Sequence, residues 1–351
     1  MTIKKARLKD IASLSGVSIG TVDRVLHDRG EVAEKTQLNV LKIAKELNYT
    51  PNLMARVLKS KKPYNLVSLL PRATEENTFW VKHPLGMLKA MVELDPFPIN
   101  LTQINFDLLS EEDFVRGTKA VLKLRPDGVL MAPIFQSESI VFCSSLLKEK
   151  IPFVFVDGYV QDTNFLAYIG ENVFQSGKVA GQLTEMITPW GKDLLIINLA
   201  RNLMNVHHLK NRSKGYLSFF EDNGNNYGEK ISLSISDPAS ENIRRELDKV
   251  FENHSNIGSI FVSGSKSYKI ADYIKAREIK SVNLIGYDLL EKNVSHLKSG
   301  TIRFLIGQRP EEQTYKGVKK LFDFLSSDKV PEKMEYLPID IVTSENVDYF
   351  I

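Results

Sequence analysis

One guanidinium, two carboxylates, two amides and a pair of aromatic rings stand where they could act together on a polyhydroxylated ligand. In this 351-residue chain they are Arg212, Asp157 and Asp288, Asn77 and Gln308, and the adjacent Phe79 and Trp80. Aromatic faces stack on the apolar C–H face of a sugar ring, while carboxylates and Arg take its hydroxyls as bidentate partners. Taken singly, each residue also has an ordinary structural use. Phe79 and Trp80 can be core, Asp157 and Asp288 strand-end caps, and Arg212 half of a surface ion pair.

Other spacings imitate catalytic motifs and fail on context. Gly16-Val17-Ser18-Ile19-Gly20 fits G-x-S-x-G, but that motif sets its Ser between a strand and a helix. Here a helix precedes it, so Ser18 reads as a helix N-cap. Ser176-Gly177-Lys178 resembles the end of a P-loop, yet the upstream glycine, Gly170, is too far away for the Walker spacing. No G-x-G-x-x-G follows a strand, the six histidines include no H-E-x-x-H, and adjacent His207 and His208 would point to different sides of a helix. The chain is therefore expected to be no enzyme and to hold neither cofactor nor metal.

Composition narrows the setting. Hydrophobic residues make up 43% and charged residues 25%, the balance of a soluble globular protein. No stretch reaches the roughly 20 apolar residues a membrane helix needs. The charged first residues lead into no apolar run, so no signal peptide is expected, and the lone Cys143 fits a reducing cytoplasm. The net charge of +3 conceals an asymmetry. Residues 1–62 carry 13 Lys/Arg against 6 Asp/Glu, and the remainder is mildly acidic. A polyanionic partner is thus expected for the first module alone.

Elements follow from periodicity. Leu8, Ile11, Ala12 and Leu14 fall at helical spacing, and Gly16 ends that helix. Ser18 opens a second helix carrying Val22, Val25 and Leu26. A third, over 34–47, has Leu38, Leu41, Ile43, Ala44 and Leu47 as its apolar set. Three such helices bury one small core and leave the outer face of the second free to enter a major groove. Beyond Pro51, residues 52–63 allow only a short, basic helix, too short to be stable alone.

The spacing of Leu8-Lys9-Asp10-Ile11-Ala12, Gly16-Val17-Ser18, Thr21-Val22, Arg24-Val25-Leu26 and Tyr49-x-Pro51-Asn52-x-x-Ala55-x-x-Leu58 resembles the DNA-binding head and hinge of the lactose-repressor family. The resemblance covers nearly all of residues 7–62. It implies that Ser18, Ile19, Gly20, Thr21 and Arg24 face DNA from the recognition helix. It also implies that Asn52, Ala55 and Leu58 belong to a hinge entering the minor groove, where a Leu wedge kinks the duplex. Gly20 has no side chain to read a base. Asp23 stands where a small hydroxyl residue is more usual, and there it needs a cation such as Arg24 or Arg29.

From 64 onward, apolar runs at 66–70, 99–104, 128–132, 153–156, 194–199, 257–262, 282–285 and 302–306 alternate with amphipathic segments such as 114–124, 139–148, 175–187, 244–251 and 310–325. Alternation of this kind gives α/β architecture with two doubly wound parallel sheets, whose ligands lie beyond the strands' carboxyl ends. Asn77-x-Phe79-Trp80, Asp157 after 153–156, Arg212-x-x-Gly215-Tyr216, Gly286-Tyr287-Asp288 and Gln308 resemble the ligand contacts of the two-lobed, periplasmic-binding-protein-like type I body of that family and of ribose-binding proteins. Gly170-Glu171-Asn172-x-x-Gln175-Ser176-Gly177 is similar to the segment opening the second lobe.

The expected division is a helix-turn-helix head at 1–50, a hinge at 51–63 and an effector body at 64–351. Lobe 1 is expected at about 64–160 and 291–324, lobe 2 at about 161–288 and 325–351. The resemblance implies a homodimeric repressor that binds a two-fold DNA operator and a sugar or sugar derivative. Two departures qualify it. Ile134-Phe135-Gln136 stands where sugar-binding members carry Asp, and Ser263-Gly264-Ser265 where many carry Asn-Asp. A DNA-binding regulator with a ligand-free body therefore stays open. So does a transport-type sugar-binding protein, against which the head counts.

Overall fold

The computed structural model describes residues 6–26, 30, 32–47, 49, 62–75, 78–199, 207–224, 226–327 and 329–351. Asn52, Ala55, Leu58 and Asn77 lie outside them. The chain forms two compact units, Met1–Lys62 and Pro63–Ile351.

In the first unit, α1 (Leu8–Ser15), α2 (Ile19–Leu26) and α3 (Glu34–Glu46) close around Ile11, Ala12, Val22, Val25, Val40 and Ala44. Asp10 accepts the Arg7 amide at the start of α1 at 2.8 Å. Gly16 ends α1 at φ 68°, a left-handed conformation that costs glycine nothing sterically. Ser18 Oγ then accepts the Thr21 amide at 3.1 Å, capping α2. The expected apolar set of α3 needs correction. Leu38 and Leu41 are 63% and 43% exposed, and Val40 with Ala44 fills the core instead. At about 100° per residue, Leu38 and Leu41 project away from the Val40–Ala44 stripe. So small a core accepts only one narrow stripe per helix.

The second unit contains two six-stranded sheets. The first holds β1 (Tyr64–Pro71), β2 (Ile99–Phe106), β3 (Gly128–Met131), β4 (Phe153–Val156), β5 (Ala167–Gly170) and β11 (Met334–Tyr336), in the order β11-β5-β4-β3-β1-β2, all parallel. The second holds β6 (Asp193–Leu199), β7 (Lys230–Ile235), β8 (Ile257–Val262), β9 (Asn283–Tyr287), β10 (Phe304–Gly307) and β12 (Asp340–Val342), in the order β12-β10-β9-β8-β6-β7. Only β12 is antiparallel among these pairings. In β6, Leu195, Ile197 and Leu199 enter one core while Leu194 and Ile196 enter another. Burial on both faces is why such strands are continuously apolar.

Helices α4 (His83–Glu93), α5 (Glu111–Leu124), α6 (Gln136–Lys148) and α12 (Pro310–Ser327) serve the first sheet. Helices α7 (Val173–Ile187), α8 (His207–Asp222), α9 (Ser240–Asn253), α10 (Ser267–Ala276) and α11 (Glu291–Lys298) serve the second.

The lobe boundaries differ from those expected. The strands at 167–170 and 334–336, assigned by sequence to lobe 2, belong to the first sheet, and 291–307, assigned to lobe 1, belongs to the second. The chain crosses between sheets after β5, after β10 and between β11 and β12. Ala-Tyr-Ile-Gly at 167–170 and Met-Glu-Tyr at 334–336 make no apolar run to find, and periodicity does not say which sheet a strand joins. For the same reason the edge strand β7, with its alternating Lys-Ile-Ser-Leu-Ser-Ile, was not anticipated.

Candidate functional site

In the head, Ser18, Ile19, Gly20 and Arg24 are exposed, and Thr21 is half-buried behind its contact with Ser18. Val22 and Val25 anchor the opposite face of α2 in the core. This leaves Ile19, 51% exposed, and Arg24 as the large side chains of α2 facing solvent. The carboxylate of Asp23 acts on the Tyr49 hydroxyl, which burial and that charge together push up.

In the second unit, the C-terminal ends of strands bring a charged cluster together. Asp157 directly follows β4 and Asp288 directly follows β9, one on each sheet. Both adopt left-handed backbone, φ 67° and 68°, a conformation to which Asp adapts better than most residues. The Asp157 amide donates to Gln313 Oε1 at 2.7 Å, and Gln313 Nε2 donates to the Gln308 carbonyl at 2.9 Å. Gln313 on α12 is fully buried and so ties a strand end of one sheet to a crossing segment leading from the other. Gln308 Nε2 in turn donates to both Asp288 oxygens, at 2.9 and 3.1 Å.

Arg212 on α8 is the cluster's cation, 2% exposed. Its Nε donates to Glu171 Oε1 at 2.7 Å, its Nη2 reaches the same oxygen, and its Nη1 donates to the Ser263 carbonyl at 2.9 Å. The guanidinium lies 4.0 Å from the Tyr287 ring centre. Tyr287 is held by a hydroxyl contact with Ser176 on α7. Two glycines set Arg212 in place. A Cβ on Gly177 would stand 2.0 Å from the Arg212 carbonyl oxygen, and one on Gly215 2.0 Å from that of Phe174. Helices α7 and α8 thus approach backbone to backbone.

Electrostatics follow from burial. Desolvation pushes the Asp157 carboxyl up to about 7, against the pull of Arg212 and with the help of Glu171. Asp288 rises to about 7 for the same leading reason, opposed by Arg212 and by the Gln308 hydrogen bond. Burial works against the Arg212 charge, but Glu171, Tyr287 and Asp288 more than offset it and raise its pKa further.

Phe79 and Trp80 sit in a single 3-10 turn, Thr78–Val81, 5.3 Å apart edge to face. Trp80 stacks on His83 at 4.3 Å, and burial lowers the His83 pKa to about 3, so it is neutral. A cavity of about 700 Å³ is lined by Phe79, Asp288 and Gln308 together with Lys82, Arg309 and Tyr315. Asp157, Arg212 and Trp80 do not line it. Sequence reading missed Glu171 as a partner of Arg212, Ser263 as a carbonyl ligand, Gln313 and His83. Glu171 and Ser263 carried a signal, since they lay in the segments singled out at 170–177 and 263–265. Phe135 packs in the core of the first sheet. Cys143 is fully buried, which pushes its thiol up to about 12 and leaves it inert. No group of three or more His, Cys, Asp or Glu among the described residues is placed to hold a metal ion.

Comparison with known proteins gives two family matches. Residues 7–52 match the lacI family of bacterial regulatory proteins, and residues 73–329 match the periplasmic binding protein domain. The sucrose operon repressor of Escherichia coli is 37% identical over 127 residues, a match spanning 37% of that repressor's length. The ribose operon repressor of Lactococcus lactis is 24% identical over 288 residues, 80% of each chain. A Bacteroides fragilis structure described as a LacI transcriptional regulator is 30% identical, covers 82% of this chain and 99% of its own, and superposes with a TM-score of 0.74. A periplasmic ribose transporter protein from Conexibacter woesei, 15% identical with a TM-score of 0.72 over 82% of this chain and 94% of its own, shares the fold.

Proposed function

Because the chain belongs to the lacI family of bacterial regulatory proteins and carries a periplasmic-binding-protein domain, we propose that it is a homodimeric, sequence-specific repressor whose grip on a two-fold operator is set by a sugar-like effector held between its lobes. One juxtaposition carries this reading. A helix capped by Ser18 presents exposed Ile19 and Arg24, and the same chain gathers Asp157, Arg212, Asp288 and Gln308 at opposed strand ends. In this account Ser18, Ile19, Gly20, Thr21 and Arg24 meet the major groove, and Asn52, Ala55 and Leu58 the minor groove. Asn77, Phe79, Trp80, Asp157, Arg212, Asp288 and Gln308 meet the effector. The relatives named as sucrose and ribose operon repressors support a sugar.

Effector closing the lobes changes how the paired heads are spaced, and so the population able to grip the operator. Pairing has a candidate surface. Leu85, Leu88 and Val92 form an apolar stripe on α4, 49%, 62% and 68% exposed, suited to a second copy of the chain. The regulator works beside DNA in the cytoplasm. Among the described residues no helix is long and apolar enough to cross a membrane.

A thermal-shift screen of the full chain against a sugar library tests the effector, and binding-site selection tests the operator. At least one sugar raises Tm, and the selected DNA is two-fold. If no sugar shifts Tm, the body is a ligand-free scaffold, the reading that Ile134-Phe135-Gln136 favours.

A further inference from the structure

Acceptors outnumber donors around Arg212. Its Nε and Nη2 both go to one oxygen of Glu171 and its Nη1 to the Ser263 carbonyl. Glu171 Oε2 and Gln308 Oε1 are buried and have no hydrogen-bond partner. Their side chains belong to residues 3% and 4% exposed, so bulk solvent does not reach them. A buried acceptor left in this state calls for a donor from outside the chain.

Charge points the same way. Asp157, Asp288 and Glu171 all act on the one guanidinium and on each other. Three of the four cations lining the adjoining cavity face carboxylates. Lys89 faces Glu311 at 3.8 Å, Lys316 faces Glu312 at 2.9 Å, and Arg309 holds Asp340 at 2.6 Å. Lys82 Nζ donates to the Phe350 carbonyl at 3.2 Å.

We propose that the effector is an amino sugar, whose protonated amine is taken by Asp288 and the orphaned Gln308 Oε1 in the cavity wall while its ring lies against Phe79. This rests on the effector reading of the cluster given above. An ammonium supplies three donors and no acceptor, the complement of what the site leaves unmet. Phosphate and carboxylate supply acceptors alone and leave the orphaned acceptors unmet, so sugar phosphates and sugar acids are disfavoured.

The test is isothermal titration calorimetry on the full chain with matched sets: glucosamine, galactosamine and mannosamine, their parent hexoses, their N-acetyl forms and the hexose 6-phosphates. In at least one set the amino sugar binds about tenfold or more tighter than its parent and N-acetyl forms, the scale of one charge-assisted hydrogen bond, and the 6-phosphate does not bind. Asp288→Asn, which keeps the shape and removes a charge, narrows that ratio. A parent hexose or its phosphate binding as tightly as the amine in every set overturns the amino-sugar inference and leaves the effector reading standing. Failure of every sugar in these sets to bind overturns the amino-sugar inference, and failure of the whole library in the thermal-shift screen overturns the effector reading as well.

Discussion

Glu171, at the end of a strand in the first sheet, accepts Arg212 Nε at 2.7 Å from a helix serving the second, so a single buried ion pair spans the first crossing between the lobes. Both side chains are 3% exposed. Removing one partner of such a pair strands the other charge in a medium that cannot solvate it.

Glu171→Ala should therefore destabilise the body by about 3–5 kcal/mol. Glu171→Gln, which keeps an acceptor for Nε, should cost less. Urea unfolding followed by the fluorescence of Trp80 and Trp190, both in the second unit, measures this. A loss below about 1 kcal/mol for the alanine variant would show that the pair is solvated or dispensable.

The cluster also fixes a pH dependence. Burial raises Asp157 and Asp288 to about 7, so in the folded state they hold protons that the unfolded chain has released. Their contribution to stability is fully present below the ordinary carboxylate range, falls as pH rises from there through about 7, and is gone above it. The double variant Asp157→Asn, Asp288→Asn should be more stable than wild type at about pH 8, with a flatter slope between about pH 5 and 8. A double variant less stable than wild type at the higher pH would mean that both carboxylates are favourably paired as anions.

Gly177→Ala places a methyl group 2.0 Å from the Arg212 carbonyl oxygen. The expected cost is about 1–3 kcal/mol, with weakened effector binding because Arg212 moves with α8. Unchanged unfolding and unchanged binding would show that the two helices separate freely.

Arg24→Ala should relax specificity at one base pair per half-site, at about 1–3 kcal/mol, if the guanidinium reads a guanine edge. Binding-site selection with both proteins decides this. An identical consensus from the two would move recognition to Ile19 and the shape of the groove.

Much of the fold was legible because long strands buried on both faces, such as Ile257–Val262, announce themselves as apolar runs. The head was legible through spacing, with Gly16 and Ser18 marking a turn and a cap. Strands as short as Ala167–Gly170 were not, and the lobe boundaries failed with them. In the site, Asp157 and Asp288 were found because strand ends are where open α/β sheets place ligand groups. Gln313 and His83 were not found. Their importance lies in contacts across long sequence separations, the Asp157 amide to Gln313 and Thr314 Oγ1 to the His83 carbonyl, which one-dimensional pattern does not display.

The central claim is that the cleft and the DNA-binding head are energetically coupled. Fluorescence anisotropy of the selected operator with the full chain measures this directly, with and without a saturating amount of the sugar that raises Tm most, for wild type and Asp288→Ala. The account predicts a wild-type shift in operator affinity of about 5–150-fold. For Asp288→Ala it predicts unchanged affinity without sugar and no shift with it. No shift in wild type while calorimetry shows the sugar bound, or an equal shift in the variant, would contradict it.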